Sequence, residues 1–199
     1  MIETYSAGLM SQSFWFVEFK KYLKLLADNL SEEEIKKQVI TGNFFGAPNE
    51  YRNQRIYRYI YNRCKALDEQ GQKLFFSSDL STQKLINLIC IIREDRLFFE
   101  FLNEVYREKI ILGAEFLENA DAKIFFRNKE IQSDIVAGWN ESTKKRLISG
   151  YFNFMSDANL LSADGKRRKI TPPLPDIALE RYLVAKGETS ILKAVTVSC

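Results

Sequence analysis

The sequence predicts an all-α protein, a mostly helical bundle that carries one small winged-helix-like β-hairpin near residues 160–171. Three observations predict it. Apolar residues recur three or four apart along most of the chain, the spacing that gathers them on one face of a helix. Only nine glycines and four prolines punctuate 199 residues, which favours long helices. A single Asp-Gly pair, Asp164-Gly165, stands between two short segments and gives the strongest tight-turn signal in the chain. With 46% hydrophobic and 28% charged residues, the composition is that of a globular chain able to bury one full core or two small ones.

Ser11 or Ser13 can cap a first helix reaching about Asn29, with Phe16, Phe19, Leu23, Leu26 and Leu30 on its inner side. Ser31 and Glu34 fit a capping box, the serine accepting from the amide three residues on while the glutamate reaches back, and Gly42 stops that short helix. After a loop over 42–48, Ile56, Ile60, Cys64 and Leu67 form the narrow apolar stripe of a helix from Asn49, with Arg55, Arg58 and Lys65 projecting almost opposite. Helices follow near 82–94, near 96–112 with Gly113 as the stop, and near 120–130. A last long helix begins at about Ser142 and buries Leu147, Ile148, Tyr151, Phe152 and Met155. Beyond the hairpin, Pro172, Pro173 and Pro175 end the extended segment, a short helix spans about 176–186, and the residues after Gly187 read as a loose tail. The expected organisation is an N-terminal helical bundle over 1–115, a C-terminal helical and winged-helix-like subdomain over 116–186, and a flexible tail over 187–199.

Histidine is absent, which excludes every mechanism needing an imidazole base or ligand. Cys64, Cys90 and Cys199 form no CxxC pair and Cys199 is not four from the end, so no zinc knuckle, redox motif or prenyl anchor is expected. The longest aliphatic run, 88–92, is far too short to span a bilayer, and residues 1–5 open no signal peptide. A cytoplasmic protein with no membrane association is expected. No phosphate-binding glycine loop or paired Asp-x-Asp is present, and acidic groups such as Glu94-Asp95 and Glu115, Glu118 and Asp121 read as solvated faces. The expectation is a protein that is not an enzyme, with no catalytic residues, metal or cofactor.

The net charge of +3 is small, but it is segregated. Residues 49–65 set Arg52, Arg55, Arg58, Arg63 and Lys65 against Glu50, and residues 141–169 set Lys144, Lys145, Arg146, Lys166, Arg167, Arg168 and Lys169 against three acids, while 94–121 is acidic. Segregation of this kind suits an oriented anionic partner. A helix opening Ser142-Thr143-Lys144-Lys145-Arg146, followed by a hairpin carrying Lys166 to Lys169, is the arrangement with which winged-helix modules bind DNA. These residues are the candidate contacts for double-stranded DNA, mainly to phosphate, with Arg52, Arg55 and Arg58 as a second face. Tyr51, Tyr57, Tyr59 and Tyr61 could stack on bases, but beside a core stripe packing is favoured.

Several segments together resemble the BrxA family of bacteriophage-exclusion (BREX) defence systems. They are Thr4-Tyr5-Ser6-Ala7-Gly8-Leu9, the helix with Arg52, Arg55 and Arg63, Val105-Tyr106-Arg107-Glu108-Lys109, and above all Trp139 to Leu147 continuing through Asp157-Ala158-Asn159-Leu160-Leu161 to Ile170-Thr171-Pro172-Pro173-Leu174. The resemblance covers most of residues 4–183 and implies a NusB-like helical fold, DNA binding without a catalytic centre, and association with other BREX components, among them a methyltransferase, an ATPase and an alkaline-phosphatase-like protein. Asn159 stands where the family pattern has glycine, and asparagine tolerates the left-handed conformation of a helix end. Two other functions stay open: a protein-interaction adaptor using the acidic 94–121 region and basic ends to dock BREX subunits, and NusB-like RNA binding.

Overall fold

Short polar side chains open most of the helices. Ser31, Asn49, Asp68, Asp79, Asp95, Asn140 and Asp176 each accept from an amide in the first turn that follows, each such cap contributing about 1 kcal/mol. In the computed structural model, which describes residues 4–28, 30–174 and 176–196, the elements run α1 (Phe16–Ala27), α2 (Glu32–Ile40), α3 (Glu50–Lys65), α4 (Glu69–Ser77), α5 (Leu80–Glu94) and α6 (Arg96–Phe101). A π-helical turn over Leu102–Tyr106 carries α6 into α7 (Arg107–Ile111); then come α8 (Asn119–Gln132), α9 (Asp134–Ala137), α10 (Glu141–Asp157), β1 (Leu161–Asp164), β2 (Arg167–Ile170), α11 (Ile177–Ala185) and α12 (Thr189–Val195). Met1, Ile2, Glu3, Asn29, Pro175 and Cys199, on which parts of the sequence reading rest, lie outside the described residues. The expected mainly helical class with one hairpin is the class observed.

The capping box at Ser31 forms as expected, Glu34 accepting from the Ser31 amide at 2.8 Å. Helix α5 is buried all round from Leu85 to Ile92, as a helix at the centre of a bundle must be. Residues from Leu9 to Val195 share one hydrophobic core. Ring contacts cross position 115, with Phe98 on Tyr151 at 4.7 Å and Phe101 on Phe125 at 5.3 Å.

Three helices depart from the sequence reading: α4, the single-turn α9 and α12. Helix α4 is unexpected, because Glu69-Gln70-Gly71-Gln72 is polar and contains a glycine, which lowers helix propensity. Packing explains the glycine: a Cβ on Gly71 would lie 2.5 Å from Leu67 Cδ1 and 2.7 Å from Tyr182 Oη, so only glycine lets α11 approach α4. The loose tail expected after Gly187 is corrected over its described part. Residues 189–195 form α12, burying Ile191, Leu192, Ala194 and Val195, and Arg93 holds Glu188 at 2.6 Å just before it. Seven residues are too few for apolar periodicity to register in the sequence.

Helix α10 ends as the Asn159 substitution predicts. Asn159 has φ +64°, its amide donates to Ser156 O at 3.0 Å, and the Leu160 amide donates to Met155 O at 2.8 Å, the paired bonds of a Schellman motif. The hairpin pairs Asp164 with Arg167, so its two-residue loop is Gly165-Lys166, centred one residue later than the Asp-Gly pair, with φ +59° at Gly165. A further strand contact was not legible: Phe116 bridges Lys169, and the Ile170 amide donates to Glu115 O at 2.9 Å. Residues 115–117 thus flank β2 on the side away from β1, and α8, α10 and the hairpin close into a helix–helix–wing unit. Among the described residues no helix is long and apolar enough to cross a membrane.

Candidate nucleic-acid interface

Helix α8 has three faces. At 100° per residue, Ala122, Phe125, Phe126 and Lys129 point inward and are buried. Lys123 and Arg127, both exposed, line the flank toward α10, and Ile124 and Asn128 line the flank toward α7. Between α8 and α10 run two adjoining clefts of about 260 Å³ each, which share Lys123, Lys145 and Ile148. The one nearer the wing is walled by Lys123 of α8, Lys145 and Ser149 of α10 and Arg168 of β2, over Ile148 and Phe152. Three cations from three elements therefore surround one cleft with an apolar floor, an arrangement able to hold a phosphate-bearing chain.

The structure brings together some of the sequence-predicted residues and engages others elsewhere. Lys145 and Arg146 are exposed and, among the described residues, hold no ion pair. Lys144 is half-buried and ion-paired to Glu130 and Glu141; the Glu130 bond, then Glu141, raises its pKa, so its charge is already balanced. Ser142 is exposed and Thr143 half-buried, but the Thr143 amide, a candidate phosphate donor, is taken by the Asn140 side chain at 2.8 Å. The helix starts one residue earlier than expected, at Glu141, placing an acid in the first turn.

On the wing, Lys166 is exposed at the tip. Arg167 lies over the Phe116 ring at 3.7 Å and faces Asp164 at 3.7 Å, Arg168 lies over Phe152 at 4.1 Å, and Lys169 reaches Glu115 at 3.4 Å. Both guanidinium groups thus lie over rings while the wing stays largely open to solvent.

The second face, on α3, is thinner than its sequence implies. Arg52 is exposed, Arg58 is exposed and lies over the Tyr59 ring at 5.1 Å, and Arg55 is half-buried with its Nε buried and unpartnered. Arg63, counted with this basic stretch, is fully buried and donates to Phe14 O at 2.7 Å, Ser13 O at 2.9 Å and Gln12 Oε1 at 2.9 Å. Burial pulls its pKa down to about 10. Its task is to fasten the turn before α1, where Trp15 sits at φ +45°. Tyr57 and Tyr61 stack at 5.9 Å, and Tyr59 on Trp15 at 5.9 Å, in line with packing.

The acidic stretch is not one solvated face. Glu100 and Glu104 close on buried Lys129 at 2.6 and 2.7 Å, Glu100 also accepts from Tyr5 at 2.9 Å, and Asp121 pairs with Lys109 at 2.9 Å. Asp95 is buried, and burial pushes its carboxyl up to about 7 against the bonds from the Phe98 and Leu97 amides. The sequence shows the acids but not Lys129, whose position on α8 makes them structural. Lys123 and Arg127 were missed in turn because their segment, 119–132, is not net basic enough to stand out; the wheel of α8, set against α10, is the signal that finds them.

Comparison with known proteins follows the same outline. A chain in the crystal structure of an uncharacterized protein from Magnetospirillum magneticum matches with a TM-score of 0.81 at 15% identity, covering 98% of this chain and 99% of that one, a likeness of fold. The BREX protein BrxA of Bacillus cereus (strain H3081.97) is 36% identical over 186 residues, 94% of this chain and 93% of the relative. The sequence model of the BrxA family matches residues 3–187, which takes in the α8–α10 clefts and the wing. The chain belongs to the BrxA family.

Proposed function

We propose that this protein is a non-enzymatic, double-stranded-DNA-binding accessory factor of a BREX phage-defence system, acting in the cytoplasm. The observation that carries the reading is the cleft where Lys123, Lys145 and Arg168 converge from α8, α10 and β2 within a helix–helix–wing unit. Lys145, Arg146, Lys166, Arg167, Arg168 and Lys169 would contact phosphates, joined by Lys123 and Arg127; Ser142 and Thr143 would add hydroxyls at the start of α10, and Lys144 would position Glu130 and Glu141. Arg52, Arg55 and Arg58 are a second contact. Within a BREX system the protein partners are the methyltransferase, the ATPase and the alkaline-phosphatase-like protein.

The test is fluorescence anisotropy with a labelled duplex of about 30 base pairs, comparing wild type with a triple variant Lys123→Glu, Lys145→Glu, Arg168→Glu. About eight phosphate contacts should cost wild type on the order of 10⁴-fold in affinity between ~50 and ~200 mM salt. The variant should lose both affinity and salt slope. No binding by wild type at ~50 mM salt would refute the reading.

One observation favours an adaptor instead. On the other flank of α8 a hollow of about 220 Å³ is lined by Val105, Leu112 and Ile124 with Glu104 and Glu108 beside them, and Leu112 is 79% and Ile124 58% exposed. Co-purification with a BREX subunit that survives nuclease and high salt and is lost in Leu112→Glu would support that role. Single-stranded RNA outcompeting duplex in the titration would favour a NusB-like RNA-binding role.

A further inference from the structure

The exposed side of α10 changes character along its length. At 100° per residue, Ser142, Lys145, Arg146, Ser149 and Asn153 share one side of the helix, opposite the buried Leu147, Tyr151 and Phe154. Its first part is cationic and its next part is neutral and polar. Charge recognises phosphate and is blind to sequence, whereas amides and hydroxyls, with donor and acceptor side by side, read the edges of bases.

Ser149 and Asn153 are exposed and, among the described residues, neither side chain has a hydrogen-bond partner. Their own donors and acceptors are therefore available. Ser149 stands in the wall of the wing-side cleft, with Lys145, Lys123 and Arg168 around it, so a duplex held by those cations would have the middle of α10 against its groove. From Ser149 to Asn153 the helix advances about 6 Å, a length comparable to two base-pair steps. A face that only meets solvent is better built from glutamate, lysine or glutamine than from serine and asparagine, which are poorer helix formers.

We infer that Asn153, assisted by Ser149, reads base edges in the major groove, so that the chain prefers particular duplex sequences, with adenine as the natural partner of the Asn153 amide. The inference rests on the duplex-binding reading and sharpens it from phosphate attraction to sequence preference. Lys145 and Arg146 then hold the helix in the groove, and Asn153 sets which sequence is retained.

The experiment is selection from a randomised duplex library with the full chain, followed by anisotropy titrations of the enriched duplex and of a scrambled duplex with the same composition. Wild type is expected to prefer the enriched duplex by about 10-fold. Asn153→Ala should erase that preference while keeping the affinity for scrambled duplex and its salt slope; an unchanged circular dichroism spectrum would tie the loss to the side chain. If wild type binds duplexes with a salt slope but enriches no sequence, or if Asn153→Ala combined with Ser149→Ala keeps the full preference, the inference is overturned and the duplex-binding reading stands. If wild type binds no duplex at all, both fall together.

Discussion

Asp95 sits where a helix needs a hydrogen-bond acceptor and where a charge is poorly solvated. Its carboxylate accepts from the Phe98 amide at 2.8 Å, yet burial holds its pKa up at about 7, against ~3.9 for an unfolded chain. The native state therefore binds the proton more tightly than the unfolded one, and this group's contribution to stability falls as pH rises from ~4 to ~7 and is flat above. Asp95→Asn keeps the cap and removes the charge. It should raise the Tm by roughly 5 °C at pH 8 and change it little at pH 4.5; equal shifts at the two values, read by calorimetry, would contradict the assignment. Arg63 makes the opposite case, a charge that the fold cannot release. Arg63→Met leaves Ser13 O and Gln12 Oε1 without their donor, while Phe14 O keeps the Asn87 side-chain amide at 2.9 Å, and should cost about 2–4 kcal/mol in a urea titration, with no change in the salt slope of whatever DNA binding the folded fraction shows. Its burial was only partly legible: on the α3 wheel Arg63 falls 60° from Ile60, 20° beyond the arc of Ile56, Ile60, Cys64 and Leu67, whereas Asn53, likewise buried, falls 20° from Ile60 and inside that arc.

Elements were legible where their signal is local. The capping box at Ser31, the stripe of α3 and the Asp-Gly hairpin each sit within a few neighbouring residues, and each formed. Elements defined by distant partners were not: α4 needs Tyr182 to explain Gly71, α12 needs the core it enters, and 115–117 needs β2. Gly71→Ala should accordingly cost about 1–3 kcal/mol through overpacking, although alanine is the better helix former, and a gain in stability would show that α4 and α11 have room to part. Truncation after Gly187 should be far more severe, because it uncovers the core side of α12; Ile191, Leu192 and Val195 are each 3% exposed or less, and losing their burial at ~1.5–3 kcal/mol apiece should abolish a cooperative thermal transition. A truncated chain that melts near the wild-type Tm would mean that α12 is dispensable.

At the scale of the molecule, the candidate site was half legible. The basic opening of α10 and the basic hairpin stand out in the sequence, but the cleft between them is made by α8, whose Lys123 and Arg127 carry no motif, and ion pairs remove Lys144 from the set. Single charge reversals should rank accordingly. Lys123→Glu and Lys145→Glu should each weaken duplex binding more than Lys144→Glu in anisotropy, by roughly tenfold at ~50 mM salt, and the reverse order would move the interface away from the cleft. The two wing arginines add a consequence for the thermodynamics of any such encounter. Each guanidinium lies over a ring, Arg167 on Phe116 and Arg168 on Phe152, so part of the ~2 kcal/mol of rotamer entropy carried by each arginine has been given up at folding. A phosphate-bearing partner would meet side chains already ordered, and lysines at 167 and 168, equal in charge but unstacked, would bind it with a larger entropy loss.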